Sequence, residues 1–336
     1  MSRGEQGMTE PRKLTMVQAI NLALMQEMER DDDVLVLGED IGIDGGVFRV
    51  TDGLLAKFGE QRVIDTPLAE GAIVGMAIGM ALYGLKPVPE IQFSGFSFQA
   101  FHQIENHAAR YRARTRGRYH VQMVVRMPYG GGVRALEHHS ESEEAYYAHT
   151  PGLKIVIPSS PRSARALLVS AIRDPDTVIF FEPKALYHAV KEEVPVAEET
   201  WPIGKARVAR EGKDLTLVAY GAMLHRCLDV AERVHAEDGA EVEVVDLLSI
   251  SPMDTETIAL SARKTGRVVV AHEAQRSFGV GAEVMARVVE TAFLQLEAPV
   301  RRVTAFDIVY PGFARERGWL PGPDRVLRAV RETLAF

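Results

Sequence analysis

Glu70 is the residue in this sequence whose position most strongly suggests chemistry. It stands at the head of an uncharged run of small apolar residues, GAIVGMAIGMALYG (71–84). Such a run packs into a core. A carboxylate beside it must therefore be paired with a cation, be protonated, or have a functional role. Two interpretations stay open. Glu70 complements the dipole of a helix N-terminus, which stabilises an exposed site by less than about 1 kcal/mol, or its apolar setting makes it a proton donor or relay.

A glycine-rich loop presents the second candidate group, an imidazole. The segment PYGGGVRALEHHSESEE (128–144) follows a predicted strand, and its three glycines favour a sharply turned loop that presents His138 or His139. The letters GGGVRA fit the pattern GxGxxA of dinucleotide-binding turns. The residues that follow do not form an apolar helix, which disfavours a nucleotide site. Acid–base chemistry by an imidazole is the function that this loop could support.

One basic cluster interrupts an acidic protein. Five arginines alternate through RYRARTRGR, and they are Arg110, Arg112, Arg114, Arg116 and Arg118. Over the 336 residues, 46 acidic residues outnumber 39 basic ones, so the formal charge is −7 and favours no polyanionic partner. The cluster therefore favours a helix C-terminus or a surface for a protein partner, although guanidinium groups also bind phosphate and carboxylate. We expect no nucleic acid and no membrane among the partners.

Cysteine usage and the first residues bear on the compartment. The single Cys227 excludes an internal disulfide framework and a cysteine-based zinc site, as expected in a reducing compartment. The first residues, MSRGEQGMTEPRK, lack an apolar core of signal-peptide length. No run reaches the roughly 18 apolar residues of a membrane span. We predict a cytoplasmic protein.

Apolar strands alternating with helices must position these groups. Thr15 followed by Gln18 predicts a capping box at the start of the first helix. In the first half of the chain, strands are predicted at 34–40, 87–93, 121–127, 154–158 and 177–181, with helices at 71–83, 97–110 and 161–173. Strands that are apolar throughout indicate a parallel sheet covered on both faces.

A charged, proline-containing passage from Ala185 to Asp214 separates this series from a second one. There, strands are predicted at 214–221, 241–248, 266–273 and 300–306, with helices at 223–236, 254–264, 281–295 and 323–334. The predicted fold class is therefore α/β, with two domains whose mainly parallel sheets are flanked by helices. The predicted organisation is a flexible N-terminus at 1–13, a first domain at 14–190, a linker at 191–213 and a second domain at 214–336.

Three glycines mark one face of the predicted helix that follows Glu70. Gly71, Gly75 and Gly79 are four residues apart, so they lie along one side and let another backbone approach closely. Close packing within the domain and contact across subunits both stay open as explanations.

Eight blocks of sequence have an order and spacing typical of one enzyme family. They are LGEDIG (37–42), GGVFRVTDGL (45–54), DTPLAEGAIVG (65–75), PVPEIQF (87–93), YGGGV, HHSES, PGLKIVIPSS (151–160) and FFEPKALY (180–187). They resemble the beta subunit of the decarboxylating component of 2-oxo acid dehydrogenase complexes, a thiamine diphosphate enzyme of transketolase-like architecture. The resemblance implies a pyrimidine-binding domain, then a transketolase-type C-terminal domain, in an assembly of two alpha and two beta chains.

The resemblance implies that this chain supplies half of an active site. In the family, the alpha subunit holds the diphosphate and magnesium through a GDG motif, which occurs nowhere in this sequence. Glu70 matches the glutamate that hydrogen-bonds the ring nitrogen of the cofactor's aminopyrimidine. Phe96 matches an aromatic residue against that ring, and Gln92 matches a further cofactor-binding position. Glu39 matches an acid near the cofactor that helps to link two active sites by proton transfer.

The family also implies roles for a histidine and for backbone carbonyls. His139 matches a catalytic histidine associated with acyl transfer onto the lipoyl group of the acyltransferase core, while Glu141 stands where many relatives have Gln. Several relatives bind a structural potassium ion through main-chain carbonyls. The matching positions are Met123, Ala171, Ile172, Asp174 and Asp176.

The resemblance leaves the substrate and one alternative function open. FFEPKALY and AEGAIVG are typical of branched-chain members, whereas YGAMLH (220–225) and HEAQRSFG (272–279) are typical of pyruvate members, and the balance slightly favours branched-chain 2-oxo acids. The alternative is a non-catalytic assembly and docking subunit of the same fold. A nucleotide-dependent dehydrogenase would rest on GGGVRA alone.

Overall fold

The computed structural model describes residues 11–336, which form two compact units. The first unit runs to Tyr129 and resumes over Tyr146–Ile203, and the second comprises Gly130–Ala145 and Gly204–Phe336. Most of the predicted flexible N-terminus, residues 1–10, lies outside the described residues. No helix within residues 11–336 combines the length and the apolar character needed to cross a membrane.

The first unit is built on a parallel sheet. The strands of this unit, six of which form that sheet, are β1 (Arg12–Thr15), β2 (Val34–Gly38), β3 (Val63–Asp65), β4 (Lys86–Glu90), β5 (Val124–Tyr129), β6 (Lys154–Val156), β7 (Val178–Pro183) and β8 (Lys191–Val194). Strands β6, β7, β5, β4, β2 and β3 lie side by side in that order, all parallel. Every residue of β2, β5 and β7 is buried. Burial on both faces explains why these strands lack polar alternation.

Helices cover this sheet, and local sequence signals set their ends. They are α1 (Met16–Arg30), α2 (Leu54–Phe58), α3 (Glu70–Leu82), α4 (Phe98–Gln103), α5 (Tyr111–Arg114), α6 (Glu144–Ala148) and α7 (Pro161–Arg173). The predicted capping box of Thr15 and Gln18 starts α1. Ser160 caps α7, whose first residue is Pro161, the position where a missing N–H costs nothing.

The second unit has its own sheet and core. Its strands are β9 (Arg207–Arg210), β10 (Leu215–Ala219), β11 (Val242–Asp246), β12 (Ser249–Ser251), β13 (Val268–Gln275) and β14 (Arg301–Ala305). The sheet has the order β14-β13-β10-β11-β9, parallel except for β9. Its helices are α8 (Met223–Asp238), α9 (Thr255–Thr265), α10 (Val280–Ala292), α11 (Glu316–Trp319) and α12 (Pro323–Leu334). Aliphatic side chains of β10, α8 and α12 form one buried cluster.

The stretch 191–213, for which the sequence predicts a linker, contains two short strands. β8 pairs with β1 in an antiparallel ladder, so Arg12 and Lys13 of the predicted flexible N-terminus are also in a strand. β9 pairs antiparallel with β11 at the edge of the second sheet. Both have charged residues, KEEV and RVAR. Charged edge strands have no apolar period, which is why their sequence predicts a loop.

Candidate active site

Two glutamates of the candidate site lie beyond one edge of the first sheet. Glu39 directly follows β2, and Glu70 is the first residue of α3, which follows β3. β2 lies between β3 and β4, and all three run parallel. Their carboxyl ends therefore meet at the same edge, where open α/β sheets place their ligands.

Both carboxylates are buried and close enough to influence each other. Glu39 is 6% exposed and Glu70 is 4% exposed. The pKa of Glu39 is raised to about 7, mainly by burial and in addition by the negative charges of Glu70 and Asp40. Within residues 11–336, Oε1 of Glu39 has no hydrogen-bond partner. A buried carboxyl that keeps a proton near neutral pH, beside a second carboxyl, can store and pass a proton.

Phe96 and Gln92 belong to the loop that follows β4. Phe96 lies in a single 3₁₀ turn (Ser94–Phe96), half-buried, with its ring centroid 5.8 Å from that of Phe93 in an edge-on contact. The amide of Gln92 donates to Oδ2 of Asp40 at 3.2 Å. Phe48 extends the aromatic group, since its ring centroid lies 5.5 Å from that of Phe93. An aromatic surface thus lies on the same loop as the predicted cofactor residues.

Asp65, at the end of β3, fixes the loop that bears Glu39, and sequence reasoning missed it. Its carboxylate accepts hydrogen bonds from the backbone N–H groups of Gly42 (2.6 Å) and Ile43 (3.1 Å). A Cβ at position 42 would lie 2.8 Å from Oδ2 of Asp65, so only glycine allows this approach. The block DTPLAEG contains the signal, an acid directly after a short apolar strand.

A second group of buried charges occupies the sheet itself, and sequence reasoning missed it too. The guanidinium of Arg126 lies 2.7 Å from Oε2 of Glu90 and 2.7 Å from Oε1 of Glu182. The Tyr187 hydroxyl donates to Oε2 of Glu182 at 2.6 Å. Although burial opposes the charged form, the carboxylates of Glu182 and Glu90 raise the pKa of Arg126. The available signal was a charged residue within each of three apolar strands.

His139 lies in the second unit, whereas Glu39, Glu70, Gln92 and Phe96 all lie in the first. It ends a 3₁₀ turn (Glu137–His139) and is half-buried. The glycine loop does turn sharply, because the N–H of Gly130 donates to the carbonyl of Glu141 at 3.0 Å. Burial raises the pKa of Glu141, while the neighbouring His138 opposes that shift.

The predicted potassium positions gather near the end of α7 and the residue before β5. The carbonyl of Met123 accepts from the N–H of Val178 (2.9 Å), and that of Ile172 accepts from the Gln122 amide (2.9 Å). Each carbonyl oxygen keeps a second lone pair for a cation. Lys154 lies 2.7 Å from the Asp174 carboxylate and 3.5 Å from that of Asp176. Potassium binding by these backbone groups, the carbonyl of Ala171 included, stays a prediction.

The glycines along α3 pack within the first unit at two of their three positions. A Cβ at Gly71 would lie 3.0 Å from the carbonyl oxygen of Gln99, and one at Gly75 would lie 3.7 Å from the side chain of Gln103. Both neighbours belong to the segment of α4. A Cβ at Gly79 would meet nothing within 4 Å. Packing on α4 therefore explains the first two glycines, and contact with another subunit stays open for the third.

Comparison with known proteins identifies the domains. Residues 12–189 match the family described as transketolase, pyrimidine binding domain, and residues 204–326 match transketolase, C-terminal domain. Among solved structures, a split gene transketolase described as an inactive beta4 tetramer superposes with a TM-score of 0.78 at 25% identity, covering 96% of this chain and 99% of that one. The chain has the transketolase-type fold, which confirms the predicted fold class.

Curated relatives narrow the class to one kind of subunit. Pyruvate dehydrogenase E1 component subunit beta of Acholeplasma laidlawii is 50% identical over 319 residues, covering 95% of this chain and 97% of that protein. The 3-methyl-2-oxobutanoate dehydrogenase subunit beta of Mycobacterium tuberculosis is 51% identical over 321 residues, covering 96% of this chain and 92% of that protein. This chain belongs to the family of 2-oxo acid dehydrogenase beta subunits, as the sequence blocks predicted.

Proposed function

We propose that this chain is the beta half of a thiamine diphosphate-dependent 2-oxo acid dehydrogenase. It would take part in oxidative decarboxylation of a 2-oxo acid and in transfer of the acyl group to the lipoyl group of an acyltransferase. The observation that carries the proposal is the pair of buried glutamates, Glu39 and Glu70, at the carboxyl edge of the first sheet. Neither has an ion-pair partner within residues 11–336.

These residues fit the pyrimidine half of the cofactor. The buried Oε1 of Glu39 lacks a hydrogen-bond partner in the described chain, and Phe96 offers an aromatic surface on a nearby loop. Glu70 would accept from or donate to a ring nitrogen, and Glu39 would take up or release the proton that Glu70 exchanges. Gln92 would hold the loop that bears Glu39 through its hydrogen bond to Asp40. When bound, the cofactor would supply the carbon nucleophile for the 2-oxo group and a ring that accepts the electron pair left behind when carbon dioxide departs.

The proposal assigns the other half of the site to an alpha subunit in an assembly of two alpha and two beta chains. That subunit would hold the diphosphate and magnesium, because this sequence has no GDG motif. The split gene transketolase described as an inactive beta4 tetramer supports this division, since inactivity is expected of a half site. His139 would act in acyl transfer to the lipoyl group, and a potassium ion would stabilise the first unit. We propose a cytoplasmic location.

The choice between pyruvate and a branched-chain 2-oxo acid as substrate follows less directly from this chain than the reaction type does. The relatives of about equal identity are named for pyruvate and for 3-methyl-2-oxobutanoate. We propose branched-chain 2-oxo acids on the strength of FFEPKALY and AEGAIVG. One missing methylene in an apolar pocket changes selectivity by only about 1–3 kcal/mol, or about 10- to 200-fold. Comparing kcat/KM for the two acids with the reconstituted enzyme would decide the assignment, and a preference for pyruvate would overturn it.

The first test is calorimetric titration of thiamine diphosphate with magnesium. The titration is made into this chain alone and then into the chain co-purified with its alpha partner. Tight binding in the mixture alone supports a shared site. Tight binding to the lone chain contradicts the division of the site, and no binding in either sample favours the non-catalytic docking subunit. A parallel titration with NAD should give neither heat nor protection against unfolding.

A further inference from the structure

The loop that bears His139 is held by buried side chains of the second unit. We propose that Glu316, together with Tyr310, is the positioning residue of this loop, which spans residues 130–143. Glu316 would act through the loop backbone, without touching substrate. The catalytic consequence rests on the proposed role of His139 in acyl transfer, whereas the anchoring itself does not.

The first half of the loop has backbone conformations that cost free energy. Gly130 and Gly132 have φ values of 78° and 95°, and the non-glycine residues Arg134 and Leu136 have φ values of 57° and 69°. Each non-glycine residue in this region costs on the order of 1 kcal/mol or more. Such a conformation persists only where its surroundings fix it. The hydrogen bond from Gly130 to the carbonyl of Glu141 closes the base of the loop and leaves its middle to be fixed by other contacts.

Glu316 fixes the middle of the loop. Its side chain is 1% exposed, and its Oε1 accepts from the backbone N–H groups of Gly132 (2.5 Å) and Arg134 (3.3 Å). The same oxygen accepts from the hydroxyl of Tyr310 at 2.8 Å. Bonds from N–H and O–H groups to an ionised carboxylate are about twice as strong as neutral ones. One buried carboxylate therefore determines the course of the segment that precedes His139.

Tyr310 lies against the backbone of the same loop, and its hydroxyl donates to Glu316. A Cβ at Gly131 would lie 2.4 Å from this hydroxyl and 3.1 Å from the Leu320 side chain, so the loop backbone lies directly on these residues. The Tyr310 ring packs on Trp319 with centroids 4.6 Å apart. Glu316 and Tyr310 thus hold the backbone that precedes His139.

Three variants and a matched control test the proposal in the assembled enzyme. Glu316→Ala removes all three hydrogen bonds, Glu316→Gln keeps a neutral acceptor of the same shape, and Tyr310→Phe removes only the hydroxyl. Arg317→Ala is the control, because Arg317 is exposed and next to Glu316 in α11. Amide hydrogen exchange of residues 130–142 measures the anchoring directly. Two rates measure its consequence: acyl transfer to a lipoyl domain, and decarboxylation with an artificial electron acceptor.

We expect Glu316→Ala to speed exchange in residues 130–142 and to slow lipoyl acylation by about 10- to 100-fold, the usual loss for a catalytic group displaced by about 1 Å. Decarboxylation with the artificial acceptor should change by less than about 3-fold. Glu316→Gln should recover part of the loss, and Tyr310→Phe should show a smaller defect of the same kind. Unchanged exchange, or an equal fall in both rates, would overturn the proposal.

His139→Ala separates this proposal from the proposed function. If His139→Ala leaves lipoyl acylation intact, the catalytic role of His139 fails, while the exchange data still decide whether Glu316 anchors the loop. If His139→Ala abolishes acylation and Glu316→Ala does not disturb it, the positioning proposal fails and the proposed function stands.

Discussion

Two pairs of buried glutamates in the first unit differ in what surrounds them. Glu90 and Glu182 share the guanidinium of Arg126, with contacts of 2.7 Å to each. Glu39 and Glu70 lie beyond the edge of the same sheet, where their charges oppose each other and no cation within residues 11–336 pairs with either. Burial alone therefore does not distinguish a carboxylate with a structural role from one proposed to exchange protons. The presence or absence of a neighbouring cation does distinguish the two pairs.

The physical reason is the cost of a buried charge. A carboxylate taken out of water loses hydration worth several kcal/mol, and a well-placed guanidinium compensates for that loss. Without such a partner the carboxyl instead binds a proton more tightly, as the pKa of about 7 for Glu39 shows. At the paired site the guanidinium of Arg126 opposes the rise that burial causes in the pKa of Glu182, whereas at the unpaired site the charges of Glu70 and Asp40 add to the rise in the pKa of Glu39.

The largest effect is expected from Arg126→Met. Removing this cation would leave Glu90 and Glu182 buried without compensation, so the free energy of unfolding should fall by about 3–5 kcal/mol. Urea denaturation would measure the loss. The control is Arg233→Met, since Arg233 forms an exposed pair with Glu237 and should contribute less than about 1 kcal/mol. A loss below about 1 kcal/mol for Arg126→Met would contradict the structural role of this group.

The opposite result is expected at the unpaired site, where Glu70→Gln keeps the shape of the side chain and replaces its carboxyl group by an amide. Decarboxylation by the reconstituted enzyme should fall by about 10²- to 10⁴-fold, the usual contribution of a general acid–base group. Stability should change by less than about 1 kcal/mol, because no buried ion pair is broken. Steady-state rates and urea unfolding on the same preparation test both statements. Glu60→Gln, at an exposed position, is the control.

The sequence predicted the elements of this comparison better than the contacts between them. Helix α7 begins and ends where the pattern placed it, at 161 and 173, because Ser160 and Pro161 are strong local signals. The strands carrying Glu90, Arg126 and Glu182 were found from their apolar runs. The pairing was not, because Arg126 is 36 and 56 residues from its partners along the chain. Side-chain register across parallel strands leaves no periodic signal.

Local sequence patterns did not predict two further features, the π-helical turn after α4 and the position of the loop with His139. The helix predicted at 97–110 is α4 followed by a π-helical turn, Ile104–Ala108, and periodicity does not distinguish these. The loop with His139 was predicted to turn sharply, but its place in the second unit was not predicted. Its contact with Glu316 joins residues 184 positions apart, and such a long-range hydrogen bond leaves no local sequence pattern. The family resemblance supplied Glu39 and Phe96, which composition alone would not distinguish from core residues.

A buried carboxyl of the second unit, Glu144, tests the comparison through pH. Glu144 is fully buried, and its Oε1 accepts a hydrogen bond from the Tyr220 hydroxyl at 2.6 Å. Burial raises its pKa from 4.5 to about 7. Between these values the folded chain holds a proton that the unfolded chain has released, so the stabilisation is complete below pH 4.5 and is lost as the pH rises towards 7.

Glu144→Gln should therefore flatten the pH dependence of stability. From pH 5.5 to pH 8 the unmodified chain should lose about 2 kcal/mol more than the variant, at about 1.4 kcal/mol per pKa unit. Urea unfolding at the two pH values measures the difference. Glu290→Gln, at an exposed position of α10, should behave like the unmodified chain. Equal slopes for Glu144→Gln and the unmodified chain would show that Glu144 is ionised in the folded state.

The smallest effect is expected from Gly79→Ala, which changes α3 without altering the environment of Glu70. No atom lies within 4 Å of a Cβ at this position, and an alanine in a helix is more favourable than a glycine by about 1 kcal/mol. The lone chain should gain about 0.5–1 kcal/mol of stability, measured by thermal unfolding, with unchanged activity once assembled. Gly71→Ala is the matched variant, and its Cβ, 3.0 Å from the Gln99 carbonyl oxygen, should cancel the gain. If Gly79→Ala instead weakens association with the alpha subunit, this face of α3 is a subunit contact, and the carboxylate at its head lies beside a partner chain.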